Sequence, residues 1–229
     1  MGNLKGPETC DVLIVGAGPA GSTAAFILAG RGLRVALLDR CDFPRPKLCG
    51  GLLTWKTVQG LERIFRIDAA ALDAAGLIRR KARQYIVAGR GAPPVARRLD
   101  DPFYLIDRTT YDEFWLRRAV AAGAEFHPGA AVTALDPDRR EAATADGRRW
   151  RARIEIGADG VDSRIRRALV AAGRLRPARR RGRALALECW VPRRSAAFPD
   201  HPAIYFGHVP RGYAWSFPGA SRQVLGIAA

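Results

Sequence analysis

The sequence predicts an α/β fold: a β-α-β unit opens the chain, antiparallel strands are inserted into the domain it begins, and a partial β-rich region follows. Three observations carry that prediction. The apolar run Asp11-Val-Leu-Ile-Val15 ends on a glycine and reads as a buried parallel strand. The turn Gly16-Ala-Gly-Pro-Ala-Gly21 then leads into a small-residue helix, Ser22 to Gly30, and a second apolar strand, Arg34-Val-Ala-Leu-Leu-Asp39. Together these make one β-α-β unit of about 30 residues, the size a crossover needs. Further along, short strand-like runs alternate with turn residues.

The elements follow in order. Arg40 to Gly51 is a loop rich in proline and glycine. Thr54 caps a helix with Val58, Leu61 and Phe65 on one face. Gln84 to Ala88 and Val95 to Leu99 read as strands bridged by the turn-rich stretch Gly89 to Pro94, and Phe103 to Ile106 as another. Thr110-x-x-Glu113 has the form of a capping box, opening a helix to about Ala122 with Tyr111, Trp115 and Ala119 four residues apart. Strands are expected at Ala130 to Leu135, Glu141 to Thr144 and Trp150 to Gly157, with Asp146-Gly147 as a hairpin turn. A short basic helix spans Ser163 to Ala171. Strands at Ala184 to Val191, Ala203 to Phe206, Tyr213 to Phe217 and Gln223 to Ala228 complete the pattern. The expected organisation is a nucleotide domain over 8–173, carrying inserted strands around 77–106, and a partial β-sheet substrate domain over 182–229. The last strand runs out without a turn or a closing helix, so it is expected to leave an unpaired apolar edge.

Composition narrows the function. The chain has 229 residues, 48% of them hydrophobic, enough for one full domain and part of a second. No apolar run reaches the roughly 18 residues of a membrane span. Met1 to Thr9 is short and polar, unlike a secretory signal, so a cytoplasmic location is expected. Cys10, Cys41, Cys49 and Cys189 fit no paired Cys-x-x-Cys pattern, which predicts reduced thiols and no metal. His127, His201 and His208 lie far apart and read as structural, and Gly-x-Ser-x-Gly is absent. The net charge of +16 is uneven: residues 1–76 hold nine basic and seven acidic side chains, residues 77–229 hold 29 and 15. Arg164 to Arg183 contains nine arginines and no acid. No nucleic-acid motif accompanies the charge, and arginine outnumbers lysine 34 to 4 amid abundant alanine. The charge therefore reads as compositional bias, and nucleic acid is not the expected partner.

The chemistry begins at Gly16-x-Gly18-x-x-Gly21. Gly16 permits a tight turn, Gly18 lets a pyrophosphate approach the backbone, and Gly21 lets helix and strand pack closely. The phosphates would meet the helix N-terminus, where free N–H groups and the dipole favour negative charge. Asp39 ends the second strand 23 residues after Gly16, where a carboxylate can accept from an adenosine ribose. A Rossmann-like dinucleotide site follows from this context.

Four segments resemble one family. Phe43-Pro-Arg-Pro-Lys-Leu-Cys-Gly-Gly51 is similar to the flavin-approaching loop of the geranylgeranyl reductases, within the larger p-hydroxybenzoate hydroxylase-like group of FAD-dependent oxidoreductases. Asp107-Arg-Thr-Thr-Tyr-Asp112 resembles the group's Asp-Arg-x-x-aromatic-Asp segment, whose arginine contacts the flavin. Gly157-Ala-Asp-Gly-Val-Asp-Ser163 resembles its Gly-Ala-Asp-Gly-x-x-Ser segment near the pyrophosphate, and Gly212-Tyr-Ala-Trp-Ser-Phe-Pro218 the Tyr-x-Trp-x-Phe-Pro segment of the reductases. The resemblance implies FAD as cofactor. Its candidate contacts are Gly16, Gly18, Ala20, Gly21, Asp39, Arg40, Cys49, Gly50, Gly51, Arg108, Val132, Asp159 and Gly160. Gly50 and Gly51 have no side chain to block a flavin, and Cys49 is the candidate catalytic residue, a thiol able to donate a proton during alkene reduction. Asp159 and Gly160 can form a turn that aims N–H groups at phosphate, or an ordinary tight turn. Tyr213, Trp215 and Phe217 alternate on one strand face, and either line a hydrocarbon channel or form sheet core.

The implied activity is flavin hydride transfer to an isoprenoid double bond, with NAD(P)H or a ferredoxin as electron donor and peripheral membrane contact through a long prenyl substrate. A flavin monooxygenase acting on an aromatic ring shares the Gly-x-Gly, Asp-Arg and Asp-Gly motifs and is the rival enzyme. Family members continue with a Gly-Asp-Ala segment, whose aspartate meets the ribityl and pyrophosphate region. The chain holds no Gly-Asp dipeptide, so the resemblance covers the first half or more of such an enzyme. A C-terminally truncated, inactive FAD-binding fragment is the third reading.

Overall fold

The computed structural model describes residues 6–177, 184–193, 198–219 and 221–229. The chain divides into two compact units. The first comprises Met1–Arg45 and Asp112–Arg179, the second Pro46–Tyr111 and Arg180–Ala229. The elements in order are β1 (Glu8–Val15), α1 (Pro19–Ala29), β2 (Val35–Leu38), β3 (Leu52–Leu53), α2 (Trp55–Phe65), α3 (Ala69–Ala74), β4 (Ile78–Gly89), β5 (Val95–Ile106) and α4 (Arg108–Ala121). Then come β6 (Glu125–His127), β7 (Val132–Asp136), β8 (Glu141–Thr144), β9 (Arg149–Gly157), α5 (Arg164–Ala171), β10 (Ala186–Pro192), β11 (Ala203–Phe206), β12 (Tyr213–Pro218) and β13 (Arg222–Ala228).

The first unit is built on a six-stranded sheet in the order β6-β2-β1-β9-β8-β7. Its first four strands are parallel, while β7 and β8 form an antiparallel hairpin continued by β9. Strand β1 runs through the middle with both faces covered, which is why it reads as an unbroken apolar run. Its alternate side chains feed two cores. Leu13 and Val15 pack with Leu38, Trp150 and Ile165 on one side. On the other, Val12 and Ile14 pack with Ala25, Leu37, Leu116 and Ala119. Each fully buried aliphatic side chain contributes about 1.5–3 kcal/mol. The buried residues of α1 are Gly21, Ser22, Ala25 and Ala29, all small, so the helix can lie close on the sheet.

The second unit is built on a seven-stranded sheet in the order β10-β13-β12-β11-β4-β5-β3. The parallel pairing of β11 with β4 joins the inserted strands to the later ones in a single sheet. Strands β4 and β5 are each twelve residues long, where the sequence suggested shorter pieces. Register shifts between Ile78 and Arg80 and between Ala82 and Gln84, inside a run rich in basic residues, break the alternation that marks a strand. Helix α3 was not anticipated, although Asp68 caps it by accepting from the Ala71 amide at 2.8 Å. Strand β6, three residues long, is too short to show a period.

Two expectations need correction. The supposed capping box lies inside α4: Asp107 is the capping residue, accepting from the Thr109 amide at 2.9 Å on its side chain and from Tyr111 at 2.9 Å on its carbonyl. The last strand, β13, is not an edge. It pairs with β10 on one side and β12 on the other, because the chain returns antiparallel into the gap between them. The edge strands of this sheet are β10 and β3. Residues 178–183, the end of the arginine-rich run, lie outside the described residues. Among the described residues no helix is long and apolar enough to cross a membrane, and all four cysteines are free thiols.

Candidate functional site

In the first unit the predicted fingerprint residues meet at the carboxyl ends of β1 and β2. Gly16 has φ +103°, and a Cβ there would lie 2.4 Å from the Ala158 carbonyl oxygen. Gly16 is therefore fixed by the backbone of the Gly157–Gly160 loop, which Ala158 ties to Val15 by a 2.7 Å hydrogen bond. A Cβ on Gly21 would lie 1.7 Å from the Gly16 carbonyl oxygen. Gly18 differs from both: its Cβ would meet only the Arg45 guanidinium, at 3.6 Å. Gly18 is also the N-cap of α1, with no side-chain cap and no acidic residue in the first turn. The amides of Ala20 and Gly21 have no intrahelical acceptor, because Ser22 makes the first helical bond, to the Gly18 carbonyl.

Asp39 is buried, and its carboxylate is already in use. Oδ2 accepts the Ala17 amide at 2.7 Å and Oδ1 the Cys41 amide at 2.9 Å. It therefore pins the glycine loop to the end of β2, while each oxygen keeps a second lone-pair direction for a ribose hydroxyl. Arg40 follows on the exposed side. Asp159 caps α5, accepting from the Arg164 amide at 2.6 Å, and Ser163 adds a second cap to Arg166. The Oδ1 atom of Asp159 is buried without a protein partner, an acceptor free for a hydroxyl donor. Gly160 takes φ +85° in the turn before it. Val132 opens β7, with its side chain in the core beside Leu38 and Trp150.

Arg45 and Asp112 were not singled out from the sequence. Arg45 stacks on Phe43 at 4.8 Å, and its Nη2 lies 3.7 Å from Asp112 Oδ2, whose side chain is fully buried. A guanidinium thus stands at the open side of Gly18. The sequence signal for Arg45 is its place between Pro44 and Pro46 in the Phe43–Gly51 segment.

In the second unit the Cys49-Gly50-Gly51 loop, the Asp107-Arg108 pair and strand β12 come together around a cavity of about 320 Å³. Gly50 faces β12: a Cβ there would lie 2.6 Å from the Phe217 ring and 3.3 Å from Trp215 Nε1. Gly51, at φ +68°, would put a Cβ 2.2 Å from the Ile106 carbonyl oxygen, and Ile106 donates to the Gly51 carbonyl at 2.8 Å. Cys49 is exposed and borders the cavity, as do Phe217 and Arg108. Tyr213, Trp215 and Phe217 form a ladder with ring centroids 5.7 and 6.4 Å apart. Trp215 lies flat over Gly226, where a Cβ would come within 2.0 Å of its ring. Of the three, Phe217 lines the cavity; Trp215 is buried in the sheet face and Tyr213 is exposed.

Lys47, Arg79, Arg108 and Arg222 give this cavity a cationic lining, against which stands Asp107. Asp107 pairs with Arg222 at 2.8 Å. Burial pushes its carboxyl up, but the hydrogen bonds from Thr109 and the charges of Arg222 and Arg79 outweigh that and hold it below the usual carboxylate range.

A family model described as an FAD binding domain matches residues 9–180. The chain belongs to this FAD-binding-domain family. Digeranylgeranylglycerophospholipid reductase 2 of Methanopyrus kandleri is 30% identical over 231 residues, covering 95% of this chain and 54% of that protein. Geranylgeranyl diphosphate reductase of Rhodobacter capsulatus is 33% identical over 168 residues, covering 68% of this chain and 39% of the relative. Among solved structures, a geranylgeranyl bacteriochlorophyll reductase-like protein from Thermoplasma acidophilum superposes with a TM-score of 0.80 at 24% identity, over 98% of this chain and 57% of that one. This FAD-binding domain thus shares the α/β flavoprotein fold, and the chain spans about half the length of the curated relatives it matches. The first unit fits the cofactor. The one fingerprint glycine not forced by neighbouring backbone, Gly18, is the one where a pyrophosphate needs room, beside free amides and a guanidinium.

Proposed function

We propose that the chain is the flavin-binding portion of a reductase that adds hydrogen across an isoprenoid carbon–carbon double bond. The observation that carries this reading is the seating of the Cys49-Gly50-Gly51 loop on Phe217 at the wall of a cavity with aromatic and aliphatic sides. When bound and reduced by the electron donor, FAD would supply the hydride and return to its oxidised form. The protein's own part is binding, orientation and the proton. Gly18, the amides of Ala20 and Gly21, and Arg45 receive the pyrophosphate, and Asp39 accepts from the adenosine ribose. Arg108 and the Gly50 and Gly51 backbone serve the flavin in the second unit, while Asp159 Oδ1 offers an acceptor in the first. Arg40, Val132 and Gly160 complete the proposed contacts. The Cys49 Sγ–H gives its proton to the second alkene carbon, and Phe217, with Trp215 and Tyr213 behind it, presents an apolar wall to a hydrocarbon chain.

The relatives' names support a prenyl substrate, which would be met at a membrane surface. NAD(P)H or a ferredoxin would supply the electrons. The test is anaerobic. Chemically reduced protein is mixed with geranylgeranyl diphosphate and flavin absorbance is followed. Reoxidation with loss of a double bond in the product supports the reading. No reoxidation anaerobically, but oxygen uptake with an aromatic substrate in air, would replace it with the monooxygenase reading.

A further inference from the structure

The conformation of the Cys49 loop is not explained by the loop itself. Cys49 is exposed, and the peptide N–H that orients it donates to Glu188 Oε1 at 3.0 Å, across from the edge strand β10. The same oxygen accepts the Trp190 indole N–H at 3.0 Å. Residues 188 and 190 share one face of β10, so the indole fixes the carboxylate that holds the loop. The arrangement continues around the cavity. The Arg222 guanidinium lies over the Trp190 ring at 4.2 Å and pairs with Asp107, which caps the helix beginning at Arg108.

Glu188, Trp190 and Arg222 belong to none of the motifs read from the sequence, yet they link two of them. A carboxylate accepting two N–H groups on one oxygen makes stronger bonds than a neutral acceptor would. Gly50 and Gly51 fit tightly against Phe217 and Ile106, and the Ile106 N–H holds the Gly51 carbonyl, but neither glycine has a side chain to hold the loop at Cys49. Among the described residues, Glu188 supplies the polar anchor of Cys49.

We propose that Glu188 is a positioning residue: it holds the Cys49-Gly50-Gly51 loop to β10, so the place of the Cys49 thiol at the cavity is set from a strand late in the chain. Its importance for catalysis rests on the reductase reading above; the anchoring itself does not. Two variants separate the possibilities. Glu188→Ala removes the acceptor, and Glu188→Gln keeps an acceptor oxygen without the charge. The readout is amide hydrogen exchange over residues 47–51, with the Leu225 amide of β13 reporting whether β10 and its neighbour remain paired. Exchange of the Cys49 amide should be about tenfold faster or more in Glu188→Ala, rise less in Glu188→Gln, and be unchanged at Leu225 in both. In the reductase assay, kcat should fall in Glu188→Ala with KM little altered, and recover in Glu188→Gln. Wild-type exchange of the Cys49 amide in Glu188→Ala would overturn the proposal, as would that amide exchanging as fast in Glu188→Gln as in Glu188→Ala. Absence of any reductase activity with the expected exchange pattern would count against the reaction and leave the anchor standing.

Discussion

The two glycine loops of this molecule obey different constraints. In the first unit, Gly16 and Gly21 are required by main chain: a Cβ at either would fall within 2.4 Å of a carbonyl oxygen belonging to Ala158 or to Gly16 itself. In the second unit, Gly50 is required by a side chain, the Phe217 ring, that arrives from β12. Backbone cannot move aside without undoing the sheet, whereas a ring can change rotamer or be replaced. The first loop should therefore break under substitution, and the second should be repairable.

The largest effect is expected at Gly21. Gly21→Val should cost about 3 kcal/mol or more, because neither side of the clash can yield, and urea denaturation of the variant measures it. Asp39 comes next. It carries the Ala17 and Cys41 amides, so Asp39→Ala should cost about 1–3 kcal/mol by stranding a buried donor, while Asp39→Asn keeps an acceptor for Ala17 and should lose less. The same denaturation curves decide the order. Gly50→Ala should cost about 1–3 kcal/mol, and a Gly50→Ala, Phe217→Leu double variant should recover part of that, a coupling visible in a double-mutant cycle. Full additivity would remove the distinction between the two loops.

The smallest expected effect is a pH dependence in the second unit. The Asp107 carboxyl lies below its ordinary value of 3.8 in the fold. A depressed carboxylate contributes stability that is present above the unfolded pKa and lost as pH falls through the folded one. Wild type should therefore lose more stability below about pH 4 than Asp107→Asn, measured as denaturation midpoints from pH 6 downward. Parallel acid limbs would mean that the pair with Arg222 contributes nothing.

How much of this was legible in the sequence follows the same division. The β-α-β start, the glycine fingerprint and Asp39 could be read because the spacing is strong and the partners of Gly21 and Asp39 are near in sequence, whereas the Ala158 backbone that fixes Gly16 arrives from far along the chain. The 144–149 turn could be read from Asp146-Gly147, and Gly147 does take φ +85°. The position of β13 could not, since strand order in an antiparallel sheet is set by pairing and not by the sequence of the last strand. The Asp107 cap was hidden because Thr110-x-x-Glu113 offered a competing pattern three residues later. Arg45 and Asp112 sit inside motifs whose roles the local pattern does not assign, and Glu188 carries no local signature. Each matters through a partner more than 60 residues away, or through a glycine loop whose orientation only the fold supplies.

We propose for the first unit that the Gly16–Gly21 loop cradles FAD, with Gly18 alone kept small for the ligand. It is tested most directly by titrating wild type and Gly18→Val with FAD, following flavin fluorescence, alongside their denaturation midpoints. Gly18→Val should fold with a midpoint close to wild type, since its Cβ meets only a side chain at 3.6 Å, and should bind FAD at least about tenfold more weakly, because the branched side chain occupies the place of the pyrophosphate. Equal FAD affinity in a folded Gly18→Val protein would contradict it.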